Sequence, residues 1–241
     1  MGQNPEITVT PTSPFLDLLC FTNMALNKVN EQYTFDFETI SKNIYKSVYE
    51  GFYKNIKTKY VLDKHRGHPR NVDPWRLCLN VEPKIICTVR PIADILASYI
   101  RLIEQNPENN FVDEFLKKHN KSINTSNRAN CLWEEFISDP YQSMVIGLKN
   151  YRKCLHIVEY DLLVSRPTLV LDRIYRFLGI EEFVHNFHEI ENFCSETKDT
   201  AWGLKNLHDI RPKLEKTSKP ASDILGHYLT DLYNQYNLVY S

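Results

Sequence analysis

Lys84-Ile85-Ile86-Cys87-Thr88-Val89-Arg90-Pro91-Ile92-Ala93-Asp94-Ile95-Leu96-Ala97-Ser98-Tyr99-Ile100-Arg101 is the stretch on which the fold turns. The interior of its first six residues is nearly continuously apolar, which predicts a strand covered on both faces. Pro91 then opens a helix in which Ile92, Ile95, Leu96, Tyr99, Ile100 and Ile103 recur at i, i+3 and i+4, giving a broad buried side. A strand that runs straight into a helix is the repeating unit of a parallel α/β sheet.

Outward from that stretch the alternation continues. Ile7 to Thr10, Lys59 to Asp63 and Leu155 to Tyr160 read as further strands. Helices are predicted over Phe15 to Met24, Phe37 to Ile56, Cys131 to Leu148 and from Ser165 and Pro167 to Leu178, with Gly179 as the stop. In the Phe37 helix Ile40, Ile44, Val48 and Phe52 are expected to face the core, and Lys42, Lys46 and Glu50 the water. The polar, Asn-rich segment from Gln105 to Asn130 is expected to include a surface excursion. The residues from Glu181 onward read as helices joined by a basic loop, Lys205 to Lys219.

The 241 residues carry 29 Lys and Arg against 30 Asp and Glu, so the formal charge is −1 and gives no global attraction to nucleic acid. With 42% apolar residues, 7 Gly and 12 Pro, the composition is that of a globular protein, expected to form a single domain over 1–241. The six cysteines, at 20, 78, 87, 131, 154 and 194, show no C-x-x-C pair, which argues against a disulfide framework or a zinc site and for a cytoplasmic, reducing setting. No apolar run approaches the ~20 residues of a membrane span. Glu6 stands where a myristoylation signal needs Ser or Thr.

An anion site must therefore be local, and charge gathers in two places. Between Lys54 and Arg76 there are seven Lys or Arg against Asp63 and Asp73. In a parallel sheet the loops after the strands line the ligand crevice, which singles out Lys64, His65, Arg66 and His68. A solvated basic loop is the plainer alternative. The second place is the quoted stretch. Arg90 ends the strand, and Asp94, Ser98 and Arg101 lie within about 60° of one another on the helix face opposite the isoleucines. A guanidinium, helix-terminal N–H groups and a hydroxyl make a compact oxyanion site suited to phosphate. An Asp94–Arg101 pair decorating an exposed helix is the competing reading.

These residues resemble a known family, the sulfotransferases that use 3′-phosphoadenosine 5′-phosphosulfate (PAPS), in particular a bacterial and phage branch. The quoted stretch is similar to the family's R-x-x-x-D-x-x-x-S-x-x-R motif. The run Val158-Glu159-Tyr160-Asp161-Leu162-Leu163, Pro167 and Phe177-Leu178-Gly179 resembles its second motif. The resemblance implies a P-loop NTPase-like parallel sheet flanked by helices. It also implies that Arg90 and Ser98 bind the 3′-phosphate, with Asp94 and Arg101 organising the face. Lys64 would meet the sulfonate and His65 would act as base, with His68 behind it. Lys205 and Arg211 fall in a segment, 203–212, resembling one that closes over the nucleotide.

One departure accompanies the likeness. The family's first strand and its P-R-S-G-[ST]-T-L-like loop, which holds the 5′-phosphosulfate, have no counterpart in the sequence. About two dozen residues of the expected domain are missing. This leaves two strand edges unpaired or makes neighbours close the gap. The expected activity is sulfuryl transfer from PAPS to a hydroxyl or amine acceptor of unspecified type, with no metal. The alternatives are a non-catalytic remnant that binds nucleotide or a partner, and a P-loop small-molecule kinase. The kinase ranks low because no G-x-x-x-x-G-K-[ST] occurs. His185 and His188 have no third ligand in view for a metal.

Overall fold

The computed structural model describes residues 1–10, 12–30, 36–191 and 202–238. The end of the first predicted strand at Pro11, and Cys194, lie outside the described residues. The chain divides into two compact units, neither of them one continuous stretch. The first is drawn from Met1–Cys87, Ser143–His156 and Ile174–His185, the second from Thr88–Gln142, Ile157–Arg173 and Asn186–Ser241.

The first unit begins with β1 (Ile7–Val9), helices α1 (Phe15–Asn30) and α2 (Phe37–Tyr53), β2 (Tyr60–Leu62) and α3 (Val72–Leu79). β1 and β2 pair in parallel, with Ile7 opposite Tyr60 and Val9 opposite Leu62. Ser13 starts α1 by accepting a hydrogen bond from the Phe15 N–H at 3.1 Å. Phe15 is fully buried, and its ring lies 4.9–5.2 Å from those of Phe52, Tyr53 and Trp75.

α2 does not present the face that the isoleucine spacing predicts. Val48 packs against the core as expected, but Ile40, Ile44 and Phe52 are exposed, whereas Tyr45 and Tyr53 are buried. The true inward face is turned by one residue, about 100°. Tyrosine buries a larger apolar area than isoleucine provided its hydroxyl finds a partner. Both do: Tyr45 donates to Asn23 Oδ1 at 2.6 Å and Tyr53 to Asp63 Oδ2 at 2.7 Å.

β3 (Ile85–Val89) pairs with β4 (Leu155–Glu159). Among the described residues the four strands thus form two separate two-stranded sheets, where one continuous sheet is expected from the sequence. The fold is mixed α/β with small sheets and many helices. Nor is β3 covered on both faces: Cys87 and Val89 are buried but Thr88 is exposed, an alternation typical of a half-solvated strand.

The second unit is built on α4 (Ile92–Gln105), α5 (Phe111–Lys118), α6 (Thr125–Leu132), α8 (Tyr160–Ser165) and α10 (Ser222–Asn234), the last bent at Gly226. α7 (Ser138–Asn150) and α9 (Pro167–Leu178) each contribute their first residues to it and their last to the other unit. Ile92, Leu96, Ile100 and Ile103 of α4 anchor its core together with Leu116, Leu132 and Leu225.

The segment expected to include a surface excursion holds two short helices joined by an exposed stretch, 119–124, and its asparagines are their punctuation. Asn110 and Asn124 cap α5 and α6 by accepting from Asp113 N and Asn127 N. Asn109 and Asn120 take positive φ, which asparagine tolerates better than most residues. Arg128 grips the buried Asp113 through two hydrogen bonds of 2.7 Å. Burial alone would raise the Asp113 pKa, but the bonds from Arg128 and Asn110 outweigh it and hold the carboxyl below its usual range.

Candidate functional site

In the second unit the site is built around Arg90. β3 delivers this residue to the start of α4, and its side chain is only 16% exposed. The guanidinium lies over the Tyr160 ring, 4.5 Å from its centroid. Its Nε is 3.6 Å from Asp94 Oδ2, close enough for charge attraction but too long for a hydrogen bond. Nε is buried without a hydrogen-bond partner. A guanidinium with a buried, unsatisfied N–H is costly, and an oxyanion ligand removes that cost.

The rest of α4 follows the helical arithmetic. Ser98 is exposed, and Asp94 and Arg101 are half-buried, on the side away from the isoleucine core. Arg101 donates to the Thr217 carbonyl at 3.2 Å, and Arg211 donates to the Thr217 hydroxyl. Lys216 pairs with Asp161 at 2.9 Å, next to the tyrosine beneath Arg90. Contacts therefore run from Arg90 through Tyr160, Asp161 and Lys216 to Thr217, where Arg101 and Arg211 meet.

Lys205 is placed elsewhere. Its backbone N–H donates to Asn106 Oδ1 at 3.1 Å, just beyond the last residue of α4. Arg90 sits at the other end of that helix, whose 14 residues span about 21 Å. One N–H at the helix start is also taken, since Ile92 N donates to Asn237 Oδ1 at 3.0 Å.

In the first unit the loop after β2 carries the other singled-out residues. Lys64 is exposed, but its backbone is tied down: its N–H donates to Thr10 Oγ1 at 3.0 Å and its carbonyl accepts from Ser13 N at 3.2 Å. His65 Nδ1 accepts from the Gly67 N–H at 3.0 Å, so the neutral ring carries its proton on Nε2, which lies 3.4 Å from Asp17 Oδ1.

His68, the reserve candidate for a base, is structural here. Its Nδ1 accepts from Trp75 Nε1 at 3.1 Å, which puts the proton on Nε2, 3.2 Å from Asp63 Oδ1. Both ring nitrogens are thus engaged in a buried network. Burial would raise the Asp63 pKa, but hydrogen bonds from His68, Ser13 and Tyr53 prevail and lower it. Burial, and the bond to that carboxylate, push the Tyr53 phenol well up.

His185 faces Tyr175 and Gln3, with its Nε2 2.9 Å from the Tyr175 hydroxyl and its Nδ1 3.2 Å from Gln3 Oε1. No metal-ligating cluster is present among the described residues. Nor does any described helix have the length and apolarity to cross a membrane.

Spacing did not reveal Tyr160 as the platform for Arg90, Asp17 as the carboxylate behind His65, or Trp75 as the group that fixes His68. The one available signal was that Tyr160 stands at the strand end inside the second motif. The other two contacts join residues from separate elements with no regular period.

The model of the family described as "Sulfotransferase domain" matches residues 5–218. Among solved structures, a sulfotransferase domain from the curacin biosynthetic pathway is similar, at 16% identity. The match covers 92% of this chain and 73% of that one, with a TM-score of 0.43. No match is found among curated proteins. On the family match, which takes in both clusters described above, the chain belongs to the sulfotransferase domain family.

Proposed function

We propose that the chain binds the adenosine 3′-phosphate end of PAPS through Arg90 and Ser98 and, acting as one sulfotransferase-like domain over 1–241, serves transfer of the sulfuryl group to a hydroxyl or amine. The observation that carries this reading is the buried Arg90 Nε with no hydrogen-bond partner. Tyr160 and Asp94 hold the guanidinium without satisfying it, so its donors are oriented before an anion arrives. Ser98 adds a neutral donor, and Asp94 and Arg101 keep the helix face in order. The Arg211 segment adjoins the site through Thr217. Lys205, at the far end of α4, is left out of it.

The transferred group comes from the phosphosulfate bond of PAPS, and the acceptor oxygen or nitrogen displaces adenosine 3′,5′-bisphosphate at sulfur. Lys64 screens the sulfonate oxygens. His65 takes the acceptor's proton at Nδ1 once the acceptor replaces the Gly67 N–H there, and Asp17, behind Nε2, stabilises the imidazolium. The setting is proposed to be cytoplasmic, in keeping with the free thiols of the five described cysteines.

A second reading is nucleotide binding without turnover, which needs only the Arg90 cluster. Calorimetric titration with adenosine 3′,5′-bisphosphate tests the shared part of both readings. Arg90→Ala is expected to weaken binding by about 30- to 100-fold, and unchanged affinity would remove the assignment. Release of that product from PAPS in the presence of an acceptor separates transfer from binding alone.

A further inference from the structure

The first unit contains a cavity of about 520 Å³ that the proposed reaction does not use. Its walls come from α3, the residues just ahead of β3, the end of α7 with the turn into β4, and the end of α9. Arg76, Lys84, Lys149, Arg152 and Lys153 line it, with Glu82 the one acid. Five cations against one carboxylate, in a chain of formal charge −1, is a strong local concentration.

These charges are not equally available. Arg76 is occupied by Glu82 and Asp73, with three nitrogen–oxygen contacts of 2.8–2.9 Å. It forms a rigid wall. Lys84 donates one of its three N–H groups to the Leu178 carbonyl at 2.6 Å, and Arg152 donates from one nitrogen to the Leu155 carbonyl. Lys149 and Lys153 are exposed at the cavity. A helix end attracts cations, which accounts for Lys149 at the close of α7. It does not account for Lys153, beyond that helix, turning to the same cavity. Phe177 adds an apolar wall, held by stacking on His156 at 5.1 Å between centroids.

We infer that this cavity is a second anion-binding site, specific for a polyvalent oxyanion, either a condensed phosphate or clustered sulfate or phosphate esters. Its volume and its spread of ammonium groups exceed what one small ion contacts, and a single charge would leave most of the lysines without a counterion. The site is independent of the Arg90 reading, for it shares no residue with it.

Titration of the full chain with tripolyphosphate at low ionic strength, followed by calorimetry, tests the inference, and a trisulfated disaccharide serves as a second probe. At least one should bind at one site per chain and be displaced by added salt. The double variant Lys149→Glu/Lys153→Glu should weaken it by at least about tenfold. Both side chains are exposed, and unaltered circular dichroism would confirm folding, with Lys149→Gln/Lys153→Gln as the milder companion. Affinity for adenosine 3′,5′-bisphosphate should be unchanged in these variants, and Arg90→Ala should leave probe binding intact. Preference for one probe assigns the ligand to phosphates or to sulfates. Failure of both probes to bind, indifference to both double variants, or loss of probe binding in Arg90→Ala would overturn the inference.

Discussion

An imidazole's role is defined by what its two nitrogens meet, and the two histidines after β2 differ in just this way. His68 is closed off by Trp75 on one side and Asp63 on the other. His65 has a backbone N–H on Nδ1 and a carboxylate at longer range on Nε2. A backbone donor can be replaced by a substrate hydroxyl at little cost, whereas a buried indole N–H left without an acceptor is penalised. We therefore expect His68→Phe to destabilise the protein by about 2–3 kcal/mol, read from urea unfolding, since it orphans the Trp75 N–H and removes one of the three hydrogen bonds that hold Asp63. His65→Phe should barely move the unfolding midpoint and should abolish any transfer activity. Equal stability losses in the two variants would contradict this division. At this scale the sequence was informative about residue type and silent about partners. Arg90 could be picked out because a strand end and a helix start fix its place, while the Tyr160 ring beneath it depends on a separate strand.

Among elements, the segment between Gln105 and Asn130 shows how a polar sequence conceals order. Its asparagines suggest a loop, yet four of them serve as caps or left-handed termini, and the polar pair Asp113–Arg128 is a buried clasp joining α5 to α6. Breaking such a clasp from one side leaves an uncompensated charge. Arg128→Ala is expected to cost about 3–5 kcal/mol, whereas the double change Arg128→Met/Asp113→Leu should recover much of it, a contrast that a double-mutant cycle measures. α4, by contrast, was legible nearly residue by residue, because a strong 3.6-residue period leaves one solution for its buried face. α2 was misread by one residue because its period fits two neighbouring stripes, and tyrosine hydroxyl partners, invisible in a hydrophobic pattern, decide between them.

For the molecule as a whole, acid is the informative perturbation. Burial lowers the His185 pKa from 6.5 to about 4, so the folded chain prefers the neutral ring while the unfolded chain takes up a proton sooner. That contribution is complete above about pH 6.5 and declines as pH falls toward about 4. The lowered pKa values of Asp63 and Asp113 act in the same sense further down, since their contributions hold above the ordinary carboxylate range and fade as pH drops through it. Unfolding midpoints should therefore slide steadily below neutrality, and His185→Gln should flatten the upper part of that slope. A midpoint constant between about pH 6.5 and about 4.5 would refute the account. The α/β class and the family likeness were readable from two motifs, but the separation of the strands into two pairs was not, since pairing is settled by distant backbone. The way each unit is assembled from three stretches also bears on synthesis. Asn4 hydrogen-bonds Tyr175, 171 positions later, so on the ribosome it must wait for that many further residues before its partner exists. A ribosome paused before that tyrosine emerges would hold a nascent chain with an incomplete first unit, the form most in need of a chaperone.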